Sequence, residues 1–295
     1  MPKREALAAF DSLSAMVPGS TPALFHWLDQ QLRAGQPEAV LMKSLHDSGW
    51  ADSVSRQAMA VMQRQRNAPT QTDSLQIAPI PAPDLRRFPT SIDVGDRQVH
   101  VLMELAHPRI VLFGNLLSHE ECDAIVAAAE PQMARSRTVE TRTGGEEINA
   151  DRTSEGMFFQ KGQIPEVAKL ESRLARLLQW PVENGEGLQV LHYSPGAEYK
   201  PHHDYFDPAE PGTPSIVRRG GQRVATVVIY LNEPTEGGGT SFPEAGLRVQ
   251  PRKGNAVFFS YAQPQPHTLT LHGGDPVLQG EKWIATKWLR ERPFQ

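Results

Sequence analysis

The sequence predicts a mainly β fold with helices, in which a jelly-roll domain supported by helices follows a small all-α domain. Three observations predict it. Residues 1–66 are rich in alanine, leucine, methionine and glutamine at helical spacing, with few β-branched residues. A proline run, NAPTQTDSLQIAPIPAPD, interrupts the chain at residues 67–84. Beyond it, two amphipathic helical patterns give way to short strand-like runs divided by glycine and proline clusters. Helices followed by many short strands define a sandwich with helices on one side, and a double-stranded jelly roll is its natural form.

The first helix is expected over Lys3–Met16. Thr21-Pro22 opens the next, with threonine as cap and proline at the first helical position. Leu24, Trp27, Leu28 and Leu32 then recur at helical spacing, and Gly35 stops the pattern. Pro37 starts a third helix with Val40, Leu41 and Leu45, ending near Gly49. A fourth runs from Asp52 to Gln65 with Val54, Ala58, Val61 and Met62 on one side. Such a module suits docking to a substrate or a second subunit, or a purely structural role. Residues 67–84 read as an extended, polyproline-like linker. The larger domain is expected over residues 85–295.

In that domain, strands are expected at Arg97–Leu105 and Arg109–Phe113. Ser118 with Glu121 three residues on forms a capping box for a helix whose buried stripe is Cys122, Ile125, Val126 and Ala129. Cys122 is thus expected to be a small core residue rather than a reactive thiol. A second helix covers Pro165–Gln179, with Val167, Leu170, Leu174 and Leu177 in register. Further strands are expected at Leu188–Tyr193, Ala225–Leu231, Ala256–Tyr261, Thr268–His272 and Lys282–Leu289.

Composition narrows the function. Net charge is -4, without the basic excess of a general nucleic-acid binder. One cysteine rules out a disulfide framework within the chain and argues against a cysteine zinc site. No run approaches the ~20 apolar residues of a membrane helix. The start, MPKREALAAFDSL, has early charge but no apolar core of signal-peptide length. A soluble, cytoplasmic protein is expected.

The chemistry-bearing residues follow residue 190. In Tyr199-Lys200-Pro201-His202-His203-Asp204, an extended strand puts His202 and Asp204 on one face and His203 on the other. An imidazole beside a carboxylate supplies two ligands of a facial triad. The third would come from His267 or His272. These are five apart, so one strand would turn them to opposite faces, and local pattern leaves the choice open. Downstream, Lys282, Ile284, Thr286 and Trp288 share a strand face. A lysine in that company looks into a semi-buried pocket, where a buried ammonium needs an anionic partner. A dicarboxylate cosubstrate would supply one; a lysine snorkelling to the sheet rim is the bland alternative.

Over residues 108–292 the chain resembles the prolyl 4-hydroxylase family of 2-oxoglutarate-dependent Fe(II) dioxygenases. The resemblance is carried by Ile110-Val111-Leu112-Phe113-Gly114 and Asp151-Arg152-Thr153-Ser154, then by Tyr193-Ser194-Pro195-Gly196 through Tyr199 to His202-His203-Asp204. It continues through Gln222-Arg223, Gly237-Gly238-Gly239-Thr240 and the block from His272 to Trp288. It implies a double-stranded β-helix, with iron held by His202, Asp204 and His272. His272 is preferred because Lys282 follows it by ten residues, as the family pattern requires. Lys282, with Tyr193 and Thr240, would hold the distal carboxylate of 2-oxoglutarate. Tyr199, Arg223 and Trp288 would line the substrate side. Dioxygen as cosubstrate, L-ascorbate and a peptide or protein substrate are implied too. Asp275 stands where a cysteine is common before the family's Pro-Val, and Asn255 where an aspartate is frequent after Lys-Gly. Both departures, like the loops at 207–221 and 261–270, bear on substrate rather than reaction. Rival readings are the same chemistry on a free amino acid or small metabolite, a catalytically silent jelly-roll binding module, and a zinc hydrolase using the same ligands.

Overall fold

The computed structural model describes residues 10, 13–14, 16–33, 36–67, 80–135, 138–139, 146–147 and 152–295. Most of the helix expected at Lys3–Met16, Gly35 and most of the 67–84 linker lie outside the described residues. The chain forms two compact units, Met1–Gln76 and Ile77–Gln295.

In the first unit, helix α1 (Pro22–Arg33) begins where Thr21 accepts a hydrogen bond from the Leu24 N–H at 3.3 Å. Helix α2 (Glu38–Asp47) is followed by Gly49 at φ +84°, a conformation glycine adopts without a steric cost. Helix α3 (Asp52–Asn67) closes the unit. Leu24, Phe25, Leu28, Leu41, Leu45, Ala58, Met59 and Met62 are buried together. Val40, expected in the buried stripe, is instead 48% exposed, because the α2 stripe is only Leu41 and Leu45, four apart.

The second unit opens with β1 (Ser91–Asp93), β2 (Gln98–Leu105), β3 (Arg109–Gly114) and α4 (His119–Ala129). The α4 capping box is formed: the Ser118 hydroxyl accepts from the Glu121 N–H, and Glu121 accepts from the Ser118 N–H. Short strands β4 (Ala134–Arg135), β5 (Thr138–Val139) and β6 (Glu146–Glu147) lead to β7 (Glu155–Phe159) and α5 (Pro165–Leu178). Then come β8 (Leu188–Tyr193), β9 (Tyr199–His202), a short α6 (Thr213–Ile216) and β10 (Arg223–Tyr230). The chain finishes with β11 (Glu236–Gly237), β12 (Thr240–Phe242), β13 (Leu247–Val249), β14 (Ala256–Ser260), β15 (His272–Gly274), β16 (Val277–Gln279) and β17 (Lys282–Arg290).

These strands make a jelly roll. The major sheet has nine strands in the order β1-β2-β3-β14-β10-β17-β8-β7-β4, and a four-stranded sheet runs β13-β12-β15-β9. All eight residues of β10 are buried, as a strand covered on both faces requires. Its alternate residues divide between two cores. Ala225, Val227 and Ile229 pack with Cys122 and Ile125 of α4 and Val167, Leu170 and Leu174 of α5. Val228 and Tyr230 join Phe242, Val249, Leu191 and Ile284 in a second core. One face of the major sheet therefore carries the helices, and the other closes against the smaller sheet.

Arg173 ties α5 to this framework. It is 3% exposed and donates to Asp96, to both Glu121 oxygens and to the Leu116 carbonyl. Glu121 thus serves the α4 cap and the α5 anchor together.

Two expectations need correction. No strand spans Thr268–His272: Pro266–Thr268 is a 3-10 turn, Leu269 is left-handed at φ 54°, and β15 begins at His272. Two prolines in Gln263-Pro264-Gln265-Pro266 remove ladder donors and favour the turn. Asp204 lies beyond the end of β9 rather than within it, so the pairing with His202 is made by a bend, not by strand alternation. Strand β7 was not anticipated; its five residues are too short to show a clear period.

Candidate metal centre

Strands β9 and β15 are antiparallel neighbours, with His202 directly opposite His272. Each imidazole is oriented by its own backbone. His202 Nδ1 lies 2.8 Å from the Lys200 carbonyl, and His272 Nδ1 lies 3.0 Å from that of Thr270. A carbonyl only accepts, so Nδ1 carries a proton in both rings, which leaves Nε2 as the ring atom turned toward Asp204. Asp204 completes the group, 3.7 Å from His202 Nε2 and 3.4 Å from His272 Nε2. Ligand atoms of all three residues lie within 4.8 Å of one another. His267 is not in the group; it sits in the 3-10 turn.

The electrostatics suit a cation. Burial, helped by neighbouring His272, holds His202 down to about 3, so its ring is neutral at physiological pH. Burial would raise the Asp204 carboxyl, but His272, His202 and Arg223 more than offset it and hold it below the usual carboxylate range. Thr226 donates to Asp204 Oδ2 at 2.7 Å and contacts the Tyr261 hydroxyl at 3.0 Å. Two imidazoles and one ionised carboxylate form the two-histidine, one-carboxylate set that suits Fe(II) and leaves coordination positions open. Among the described residues this is the one such cluster.

The triad borders a cavity whose walls include Arg152, Leu191, Tyr193, Tyr199, Val228, Thr240, Lys282, Ile284, Thr286 and Trp288. Lys282, Ile284, Thr286 and Trp288 line it together, in the period-two pattern of β17. Lys282 is 2% exposed, which removes the snorkelling alternative. Its Nζ stands 5.3 Å from the centre of the Tyr193 ring, the residue opposite it across the β8–β17 ladder. Burial lowers its pKa to about 8 against the opposing pull of Asp275. Asp275, however, is itself bound to Arg248 at 2.6 Å, and no carboxylate among the described residues forms an ion pair with Lys282. A buried ammonium lacking an internal anion fits a site for an acidic ligand. Thr240 accepts from the Tyr230 hydroxyl at 2.9 Å.

The substrate-side candidates separate. Tyr199 stacks on His202 at 3.7 Å, and Trp288 lines the cavity. Arg223 does not line it. Its guanidinium lies 3.9 Å from the Trp288 ring centre and binds Glu186 at 2.7 and 3.0 Å. Glu186 also takes Arg290 at 2.6 Å. Sequence reasoning gave no role to Glu186, Gln189 or Thr226. Thr226 was findable, being the polar residue on the cavity face of an apolar strand. Glu186 precedes β8 in a loop, where no period operates. Arg152, noted only within a motif, donates to Gln189 at 2.8 Å and lies 4.9 Å from the Tyr199 ring centre.

This geometry defines a class, and comparison with known proteins names the same one. Residues 188–290 match the 2OG-Fe(II) oxygenase superfamily. The chain is 39% identical to prolyl 4-hydroxylase 5 of Arabidopsis thaliana over 223 residues, covering 68% of this chain and 74% of that protein. It is 42% identical to prolyl 4-hydroxylase 1 of the same plant over 202 residues, covering 63% and 70%. A crystal structure of a viral collagen prolyl hydroxylase from Paramecium Bursaria Chlorella virus-1, with 2-oxoglutarate, aligns at TM-score 0.48 and 31% identity, covering 61% of this chain and 95% of that one. The chain belongs to the prolyl 4-hydroxylase family of 2-oxoglutarate- and Fe(II)-dependent oxygenases.

Proposed function

We propose that this enzyme hydroxylates a prolyl residue of a peptide or protein, consuming 2-oxoglutarate and dioxygen and releasing succinate and carbon dioxide. The observation that carries the reading is the shared cavity: the triad His202, Asp204 and His272 and the ammonium of Lys282, which no carboxylate among the described residues pairs with, line one space. The named activity of the Arabidopsis relatives supports a prolyl substrate.

His202 and His272 bind the metal through Nε2, because their Nδ1 protons are committed to backbone carbonyls. Asp204 binds as the carboxylate, steadied by Thr226. Lys282 draws the distal carboxylate of 2-oxoglutarate into its buried position, and Tyr193 and Thr240 hydrogen-bond it. Leu191, Val228 and Ile284 give that part of the cavity apolar walls that exclude water. Fe(II) bound there supplies the oxidation, coupling decarboxylation of the keto acid to insertion of one oxygen atom into an unactivated C–H bond. Tyr199 and Trp288 face the peptide, with Arg223 holding Trp288 from behind. L-Ascorbate would serve as the accompanying reductant. The enzyme is cytoplasmic; no helix among the described residues is long and apolar enough to cross a membrane. Residues 1–66 serve as a docking module for substrate or a second subunit, tethered by 67–84 to the catalytic domain at 85–295.

Succinate release across a library of proline-containing peptides, read by mass spectrometry for the gain of one oxygen, tests the reading. Succinate and oxygen gain with peptides support it. Turnover with free amino acids alone would move the substrate to the small-metabolite class.

A further inference from the structure

Outside the cavity, one large apolar side chain stands beside its wall. Phe158 is 53% exposed, although its strand neighbours Met157 and Phe159 are in the helix-side core. Alternation along β7 therefore turns Phe158 to the face that carries the cavity. Two contacts agree. Phe158 pairs with Gln189 across the ladder, and Gln189 binds the cavity residue Arg152. Its ring centre lies 6.4 Å from that of Trp288, with the planes tilted by 34°. Trp288 thus belongs both to the cavity wall and to an aromatic pair reaching outward along the sheet.

Resting on the prolyl-peptide reading above, we propose that Phe158 is a specificity-determining residue that seats an apolar or prolyl side chain of the substrate several residues from the one hydroxylated. The spacing follows from the sheet. Asp204 is bonded to Thr226 on β10, and β17 and β8 lie between β10 and β7. Three strand spacings put β7 about 14 Å from β10. A polyproline-like peptide advances ~3.1 Å per residue, so it reaches Phe158 about four to five residues from the reacting position. Aromatic rings in an open row are the surface on which such peptides dock. The ring is continuous with the cavity through Trp288, which argues for substrate over a second copy of the chain as its occupant.

The test compares the full-length enzyme with Phe158→Ala and Phe158→Tyr on two peptides carrying a reacting proline: a tripeptide, and an eleven-residue proline-rich peptide with that proline at its centre. For the long peptide, Phe158→Ala is expected to raise KM about tenfold with kcat within about twofold, and Phe158→Tyr to restore it. The tripeptide, which cannot reach the ring, is expected to show the same KM with all three proteins, as is turnover of 2-oxoglutarate without peptide. An equal KM for the long peptide in Phe158→Ala and the parent overturns the proposal. So does an unchanged KM together with a shift in sedimentation, which would assign the ring to self-association. Oxidation of neither peptide by the parent enzyme would instead sink the prolyl-peptide reading, and this inference with it.

Discussion

Two lysines of β17, Lys282 and Lys287, are both 2% exposed, yet the two faces of the strand treat them in opposite ways. Lys287 points to the helix side, where Glu171 of α5 and the Glu186 carbonyl receive its ammonium. Lys282 points into the cavity, where no carboxylate among the described residues forms an ion pair with it. Burial pushes both below their ordinary value; Glu171 opposes that shift at Lys287, and only the diverted Asp275 opposes it at Lys282. A buried charge with an internal partner is part of the scaffold. A buried charge without one is held ready for a ligand, and the chain bears its desolvation cost until the ligand arrives.

The comparison predicts separable failures. The largest effect is expected from Asp204→Ala, which removes the one ionised ligand. Activity should fall on the order of 1,000-fold or more while the fold persists, as checked by succinate release and circular dichroism. Next, Lys282→Met should weaken 2-oxoglutarate binding roughly 30- to 4,000-fold, the range for loss of one buried charge partner. Thermal stability without ligand should hold or rise, because a costly ammonium has gone. The same lysine sets a pH dependence. It is protonated below about 8, so affinity should be level at pH 6–7 and fall as pH rises through 8 and the ammonium is lost. Lys282→Arg should move that fall to higher pH, since arginine stays charged.

Lys287→Met should do the reverse. It strands Glu171 in the core and should cost about 3 kcal/mol in urea unfolding, with affinity of the folded protein for 2-oxoglutarate within about twofold. Adding Glu171→Leu should recover most of that loss. The smallest effect is expected from Thr226→Val, which removes the hydroxyl holding Asp204 and should lower Fe(II) affinity about tenfold by titration.

How much of this was legible in the sequence differs between the same two faces. The period-two pattern of Lys282, Ile284, Thr286 and Trp288 marked the cavity wall correctly, because alternation along a long strand is a local property. The helices were legible for the same reason: Ser118 and Glu121 write a cap into four residues. The partners of the other face were not legible. Glu171 and Lys287 are 116 positions apart, and only the packing of α5 on the sheet brings them together. The choice of His272 over His267 came from resemblance. The strand argument behind the alternatives did not apply, since a proline-rich turn, not a strand, precedes His272. Arg223 shows a further limit. A polar residue leading a strand gives no hint that Glu186 and Trp288 will enclose it.

The most direct measurement is an anaerobic titration of the Fe(II)-loaded protein with 2-oxoglutarate, following the visible absorption band that forms on chelation. The parent and Lys287→Met should saturate at similar concentrations, whereas Lys282→Met should need far more and Asp204→Ala should give no band. Equal saturation of the parent and Lys282→Met would contradict the assignment of that ammonium to the keto acid, and with it the claim that the two lysines differ in purpose.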